Sequence, residues 1–262
     1  ALDGALGEKL NFLSRGQTWL PLAALLVGAL IGLVDDLLAV LDRFDQKGGG
    51  LSSGKRLLLV GAAGLLFAWW FYDKLDASAV AVPFWGPLEL GWLFVPFFVL
   101  VIIGIYSGGV IDGLDGLSGG VFAIIFGAYG FIAFNQAQID LAALAFSIMG
   151  ALLAFLWFNV PPARFYLSDT GTTALTMALT VIAFLTEEVL VLPIIGVLLI
   201  AAAGSSALQL LAKKFLERKL FRVAPIHHHL QACGWPAEKV VMRFWILGIM
   251  AAFVGVIIAL TG

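Results

Sequence analysis

Four separated segments concentrate the side chains able to act on a phosphate or hold a hard cation. The first is Asp35-Asp36, in the run Gly32-Leu-Val-Asp-Asp-Leu-Leu. Adjacent carboxylates repel, and in a partly dry setting each raises the other's pKa unless a cation or donor is near. The pair fits metal-phosphate chemistry or proton transfer, and it also fits a charged helix end leaving lipid. Lys55 and Arg56 follow in the same loop, where a basic pair suits either a lipid phosphate or anchoring at anionic headgroups. The second segment is Ile111-Asp112-Gly-Leu-Asp115-Gly-Leu. Its two acids share one face if the stretch is helical, and the glycines let a ligand approach the backbone. A helix N-terminal cap explains one of these acids more easily than both.

The third segment runs from Asn159 through Pro161-Pro162, Arg164 and Tyr166 to Ser168-Asp169-Thr170-Gly171. The prolines stop one helix, and Ser-Asp-Thr-Gly offers oxygen ligands at a turn where the next begins. Magnesium takes one or two carboxylates together with substrate phosphate oxygens, which suits Asp169 in such a turn. An N-cap role for Asp169 stays open. The fourth is Ala224-Pro-Ile-His227-His228-His229-Leu, which holds all three histidines of the chain. Consecutive histidines do not readily converge on one zinc from a regular helix, so proton transfer or phosphate contact fits better than a metal site. Lys213, Lys214, Arg218, Lys219 and Arg222 make their surroundings anion-attracting, and the same residues can mark membrane topology.

The elements that must position these segments follow from composition. With 61% apolar residues, 12% charged residues and a mean hydropathy of +1.03, the chain belongs in a bilayer. A net charge of −2 gives no ground for nucleic-acid binding, and the single cysteine, Cys233, excludes an internal disulfide framework. Apolar runs predict eight spans, at Trp19–Val34, Leu57–Tyr72, Trp92–Tyr106, Leu117–Phe134, Leu141–Phe158, Thr172–Thr186, Val189–Ala212 and Val241–Leu260. An all-α polytopic bundle follows, with both chain ends on one side. The loops at 35–56, 107–116, 159–171 and 213–243 carry 4, 0, 1 and 7 Lys/Arg, or 12 of the 15 present. The positive-inside rule assigns those loops, and with them every motif above, to the cytoplasm. Lys9, Arg15 and Lys74 fall elsewhere. Gly28 and Gly32, four apart in the first span, predict close helix packing, and Gly48–Gly50 reads as a linker. The start at Ala1, with neither an initiator methionine nor a signal pattern, reads as a fragment.

Taken in order, Asp-Asp, Asp-Gly-Leu-Asp-Gly, Phe-Leu-Trp-Phe-Asn, Asp-Thr-Gly and Pro-Ile-His-His-His make the chain resemble the phospho-N-acetylmuramoyl-pentapeptide transferases. The likeness runs from about Gly32 to the carboxyl end and includes Gly234-Trp235-Pro236 and Arg243-Phe244-Trp245-Ile246. Three consecutive histidines favour this branch over related polyprenyl-phosphate N-acetylglucosamine-1-phosphate transferases. The resemblance implies magnesium-dependent transfer of phospho-MurNAc-pentapeptide from UDP-MurNAc-pentapeptide to undecaprenyl phosphate in the bacterial cytoplasmic membrane, giving lipid I and UMP. It implies a ten-helix family fold, of which this single domain over residues 1–262 would lack the amino-terminal pair. By motif, Asp169 would hold the magnesium, Asp35 and Asp36 would serve the lipid phosphate, and His227 would assist at the phosphates. Lys55, Asp112, Asp115, Asn159, Tyr166, Gln209, His228 and His229 match substrate-side positions. Four departures bear on nucleotide affinity: Gly109-Val110-Ile111 for a customary Asn-Leu-Thr, Ser168 for Gly, Tyr166 for Phe, and Ala202 for Glu. An ion-coupled transporter is the rival from another class, but a relay needs ionisable groups deep in the spans, whereas these gather at span ends. The sequence leaves oligomeric state open, a homodimer included.

Overall fold

A computed structural model describes residues 18–42 and 49–262. Lys9, Arg15, Arg43 and Lys47 of the charge count, Gly48 of the linker and the amino-terminal residues around Ala1 lie outside the described residues. The chain folds as helices α1 (Trp19–Asp42), α2 (Ser53–Lys74), α3 (Phe94–Gly108), α4 (Leu117–Asn135), α5 (Ile139–Asn159), α6 (Ser168–Leu185), α7 (Leu192–Ile195), α8 (Val197–Phe215), α9 (Ile226–Ala232) and α10 (Ala237–Thr261). Eight of these stretches are long and apolar enough to cross a membrane. An antiparallel hairpin, β1 (Ala79–Val82) with β2 (Gly86–Glu89), sits between α2 and α3, with Val80 opposite Leu88.

The spans differ in how much of their surface the protein itself covers. Windows of α4 and α6 are 78% and 72% buried, against 39% or less for the others, so these two helices form the centre and the rest face lipid on one side. Helix α4 is covered over most of its surface, with Phe122, Phe126 and Tyr129 fully enclosed and Phe131 and Phe134 exposed. In α6, Thr172, Thr176 and Thr180 turn their hydroxyls back onto the carbonyls of Ser168, Thr172 and Thr176 at 2.8–2.9 Å, which satisfies them without water. Phe71, Phe94, Phe98 and Phe184 close the end away from the motifs, the Phe98 and Phe184 rings stacking at 4.3 Å.

Helix α1 lies along α6, and small residues bring the two backbones together. A Cβ on Gly28 would stand 2.7 Å from the Thr173 carbonyl oxygen, and one on Gly32 would stand 2.1 Å from that of Asp169. The packing role predicted for these glycines is what the structure shows, and it fixes where α1 meets the start of α6.

Three expectations need correction. Helix α1 does not end at Asp35-Asp36 but continues to Asp42, so the pair is held in regular helix. The run predicted as one span at Val189–Ala212 is broken at Gly196 into the short α7, with Pro193 in its first turn, and the spanning α8, because Gly196 leaves helical geometry at φ −94°, ψ 22°. Residues 112–116 are turns following a 3₁₀ turn at Gly109–Ile111, so Asp112 and Asp115 do not share a helix face. The hairpin had no predicted counterpart.

Candidate functional site

The close approach at Gly32 brings the carboxylate pair of α1 to the first turn of α6. Asp36 accepts the Ser168 hydroxyl on one oxygen at 2.6 Å, and the Thr170 N–H and hydroxyl on the other at 2.9 and 2.5 Å. Successive helical residues point about 100° apart, and Asp35 turns elsewhere. It is 3% exposed, accepts the Leu51 N–H at 2.6 Å and pairs with the Arg56 Nε at 2.7 Å. The repulsion expected of adjacent acids is thus resolved by giving a cation to one and neutral donors to the other. Arg56 reaches further, its Nη1 lying 3.2 Å from an Asp169 carboxylate oxygen.

Of the basic pair, Arg56 is the member that meets the carboxylates among the described residues: the phase of α2 points it at Asp35 and Asp169 and leaves Lys55 exposed. Arg56→Gln is expected to cost on the order of 2 kcal/mol, because it strands Asp35 in a buried setting, with partial relief from solvent at the arginine. Lys55→Gln should lie within about 0.5 kcal/mol of the native chain. Paired thermal melts in one detergent check the contrast, and equal losses would remove the assignment.

The second motif joins from the opposite side. Asp112 accepts the Ser118 hydroxyl at 2.5 Å and the Ser168 N–H at 3.2 Å, while Asp115 turns away to accept the Ala163 N–H at 3.0 Å. Burial pushes the Asp112 carboxyl above the usual range against the pull of those two donors. Asn159 is 3% exposed and its amide is spent on the backbone, accepting from Gly116 N–H at 3.0 Å and donating to the Phe165 carbonyl at 2.8 Å. Gly116 has φ +79°, a conformation that favours glycine, and its carbonyl takes the Trp245 indole N–H at 3.1 Å. Asp115 and Asn159 thus brace the loop that carries α6 into place. Tyr166, in that loop, is exposed.

A cavity of about 680 Å³ opens where these elements meet, and Arg56, Tyr106, Asp112, Ser168, Asp169 and Ser206 are among its lining residues. Asp35, Asp36, Asp115 and the histidines are not among them. Among the described residues, no group of three or more His, Cys, Asp or Glu stands ready to hold a metal ion. Magnesium does not require one: two carboxylates open to a cavity, Asp169 with its side chain 43% exposed and Asp112, fit an ion that keeps waters and borrows phosphate oxygens.

The histidines separate in role. His228 and His227 present Nε2 atoms to the backbone at Gly113, where a Cβ would stand 2.7 and 2.8 Å from them, so α9 seats directly on the Asp112 turn. His228 bonds Gln231 at 2.8 Å, and His229 accepts the Arg222 N–H at 3.1 Å. Gln209, 5% exposed, accepts the N–H groups of Leu220 and Phe221 at 3.0 Å each and so pins the basic loop to α8. His227 is fully enclosed, and neither ring nitrogen has a hydrogen-bond partner among the described residues. Burial first, and the neighbouring His228 second, push its pKa down to about 4. In the unfolded chain a histidine titrates near 6.5. The stabilising effect of a neutral His227 is therefore present above about 6.5 and is lost as pH falls toward 4, where the unfolded chain takes up a proton that the native one refuses. His227→Phe should flatten this part of the stability profile. Melts of both proteins between those limits test it, since carboxylate titration is common to both and cancels in the difference.

Residues 18–187 match the family model described as glycosyl transferase family 4. The chain belongs to that family. It is similar to the phospho-N-acetylmuramoyl-pentapeptide-transferase of Listeria welshimeri, 34% identical over 246 residues that cover 93% of this chain and 75% of that one. The proteins of the same name from Caldanaerobacter subterraneus and Chloroflexus aurantiacus are each 33% identical, covering 89% and 95% of this chain and 73% and 72% of their own. The family likeness carried by the motifs is thereby shown.

The structure brings Asp35, Asp36, Asp112 and Asp169 together and seats His227 and His228 on the backbone at Gly113, next to Asp112. It commits Asp115, Asn159 and Gln209 to backbone atoms and leaves Lys55 and Tyr166 exposed. Arg56, Ser168, Thr170 and Ser118 join the four acids. Arg56 had a signal in the sequence as the second member of the basic pair, and Ser168 and Thr170 had one as oxygen donors of the Ser-Asp-Thr-Gly turn, whereas Ser118 had none.

Proposed function

We propose that the chain transfers phospho-MurNAc-pentapeptide from UDP-MurNAc-pentapeptide to undecaprenyl phosphate, releasing UMP and making lipid I for peptidoglycan. The reaction takes place at the cytoplasmic end of a multi-pass protein of the bacterial cytoplasmic membrane. One observation carries this reading: Asp169 and Asp112, from two different helix junctions, open with Arg56 onto one cavity at the motif-bearing end of the bundle. Phosphoryl transfer asks the protein mainly for positioning and for charge opposite the phosphates, and this cavity supplies both.

Asp169, with Asp112 beside it, would hold magnesium, which when bound neutralises charge on the pyrophosphate and on the departing UMP. Arg56 orients Asp169 and adds a positive charge at the cavity wall. An oxygen of the lipid phosphate attacks the sugar-bearing phosphorus directly, and of the adjacent pair on α1 Asp36 is the acid freer to accept a proton. Its neighbour Asp35 is already spent on Arg56 and Leu51, whereas Asp36 carries only neutral donors. A phosphorylated aspartate trapped during turnover would overturn direct displacement.

Purified protein in detergent or nanodiscs, given UDP-MurNAc-pentapeptide, undecaprenyl phosphate and magnesium, should release UMP only when all three are present. Release from UDP-N-acetylglucosamine instead would assign the chain to the N-acetylglucosamine-1-phosphate branch. No release from either donor would remove the transferase reading.

A further inference from the structure

Ser168 is the one residue that bonds both Asp36 and Asp112 among the described residues. Its hydroxyl donates to Asp36 at 2.6 Å, its N–H donates to Asp112 at 3.2 Å, and its carbonyl accepts the Thr172 hydroxyl at 2.9 Å. It holds these bonds at φ +60°, in the left-handed region that side chains other than glycine rarely adopt. A glycine would take this conformation without strain, and the hydroxyl is what a glycine lacks. Strain of this kind persists where the surroundings over-determine the backbone, and it tends to gather where function needs it. Ser168 also lines the cavity beside Asp169, whereas Asp36 does not. The structure thus joins the acid on α1 to the acid before α4 through one strained residue next to Asp169.

We propose that Ser168 is a positioning residue, whose hydroxyl and N–H lock Asp36 and Asp112 at a fixed separation around Asp169. This rests on the transferase reading for its catalytic consequence, though not for its geometry. A residue needed only to start α6 would be improved by glycine in every respect. A residue needed to hold Asp36 would lose function when changed to glycine while the fold gained from relief of strain.

The test sets stability against turnover in the full chain. Ser168→Gly should melt at the same or a higher temperature than the native protein, yet its kcat should fall about tenfold, with KM for the nucleotide donor within about twofold, since misplaced acids slow the chemical step more than they weaken binding. Ser168→Ala should be as slow and should melt below the glycine variant, keeping the strain without the bond. Ser168→Asn tolerates the left-handed region and restores a donor, so it should recover most of the lost kcat. Native kcat in Ser168→Gly, or a loss confined to KM, overturns the proposal. A double-mutant cycle on melting temperature with Ser168→Ala and Asp36→Asn needs no turnover: non-additive losses support the bridge, and additive ones sink it. A native protein that releases no UMP but shows a coupled cycle would therefore discard the transferase reading alone.

Discussion

Asp169→Asn is expected to reduce magnesium-dependent UMP release by about 10³-fold or more while the protein stays folded, the scale expected when a group that stabilises developing charge is removed. The change keeps shape and removes charge. Asp169 lies close to Arg56, which also pairs with Asp35, and Asp36 is bonded to the next residue, Thr170. One negative charge fewer in that cluster relieves repulsion, so the melting temperature should not drop by more than a few degrees. The asparagine oxygen still accepts from Arg56, which preserves the local geometry. UMP assays across a magnesium titration, with melts in parallel, separate a lost metal site from a lost fold. Full activity in the variant would remove Asp169 as the metal ligand.

Gly32→Ala should be nearly as damaging, although it touches no charged group. The added methyl would stand 2.1 Å from the Asp169 carbonyl oxygen and 2.5 Å from the Thr170 Cα, and both are backbone atoms that cannot rotate away. Helices α1 and α6 must part, which draws Asp36 from Thr170 and Ser168 together. A cost of about 3 kcal/mol in stability and a loss of about 10²-fold in turnover follow from displacement on the order of 1 Å. The controls are Gly104→Ala and Gly150→Ala, interior helical glycines with nothing within 4 Å of the added methyl. Those should be neutral or slightly stabilising, by up to about 1 kcal/mol, since alanine is the better helix former. If Gly32→Ala behaves like the controls, close backbone approach is not what holds the site together.

The spans were legible because apolar length is a local property. Gly28 and Gly32 were legible for the same reason, since small residues four apart form a ridge on any helix. Assignments of individual side chains fared unevenly, and the cause is geometric. Lys55 and Arg56 are equivalent as a basic pair, and only the phase of α2 against α1 gives Arg56 to Asp35 and Asp169. Asp112 and Asp115 suggest a shared face, yet a turn sends one to Ser168 and the other to Ala163. Asn159 and Gln209 carry groups suited to a ligand but are spent on loop N–H and carbonyl groups that, away from water, need partners.

The sequence by itself determined that the chain is a bundle of membrane-spanning helices, where the eight apolar spans of the described residues run, and the family to which it belongs. These follow from composition and from short motifs, each read without knowing what lies across the bundle. The tertiary structure decided which acid is neutralised by Arg56, which is held by hydroxyls, and which histidine is shut away from solvent. Those outcomes depend on helix phase and on contacts across the bundle, some between residues more than a hundred positions apart, such as Asp36 with Thr170. Local pattern carries no information about such contacts until the backbones at Gly32 and Asp169 have met.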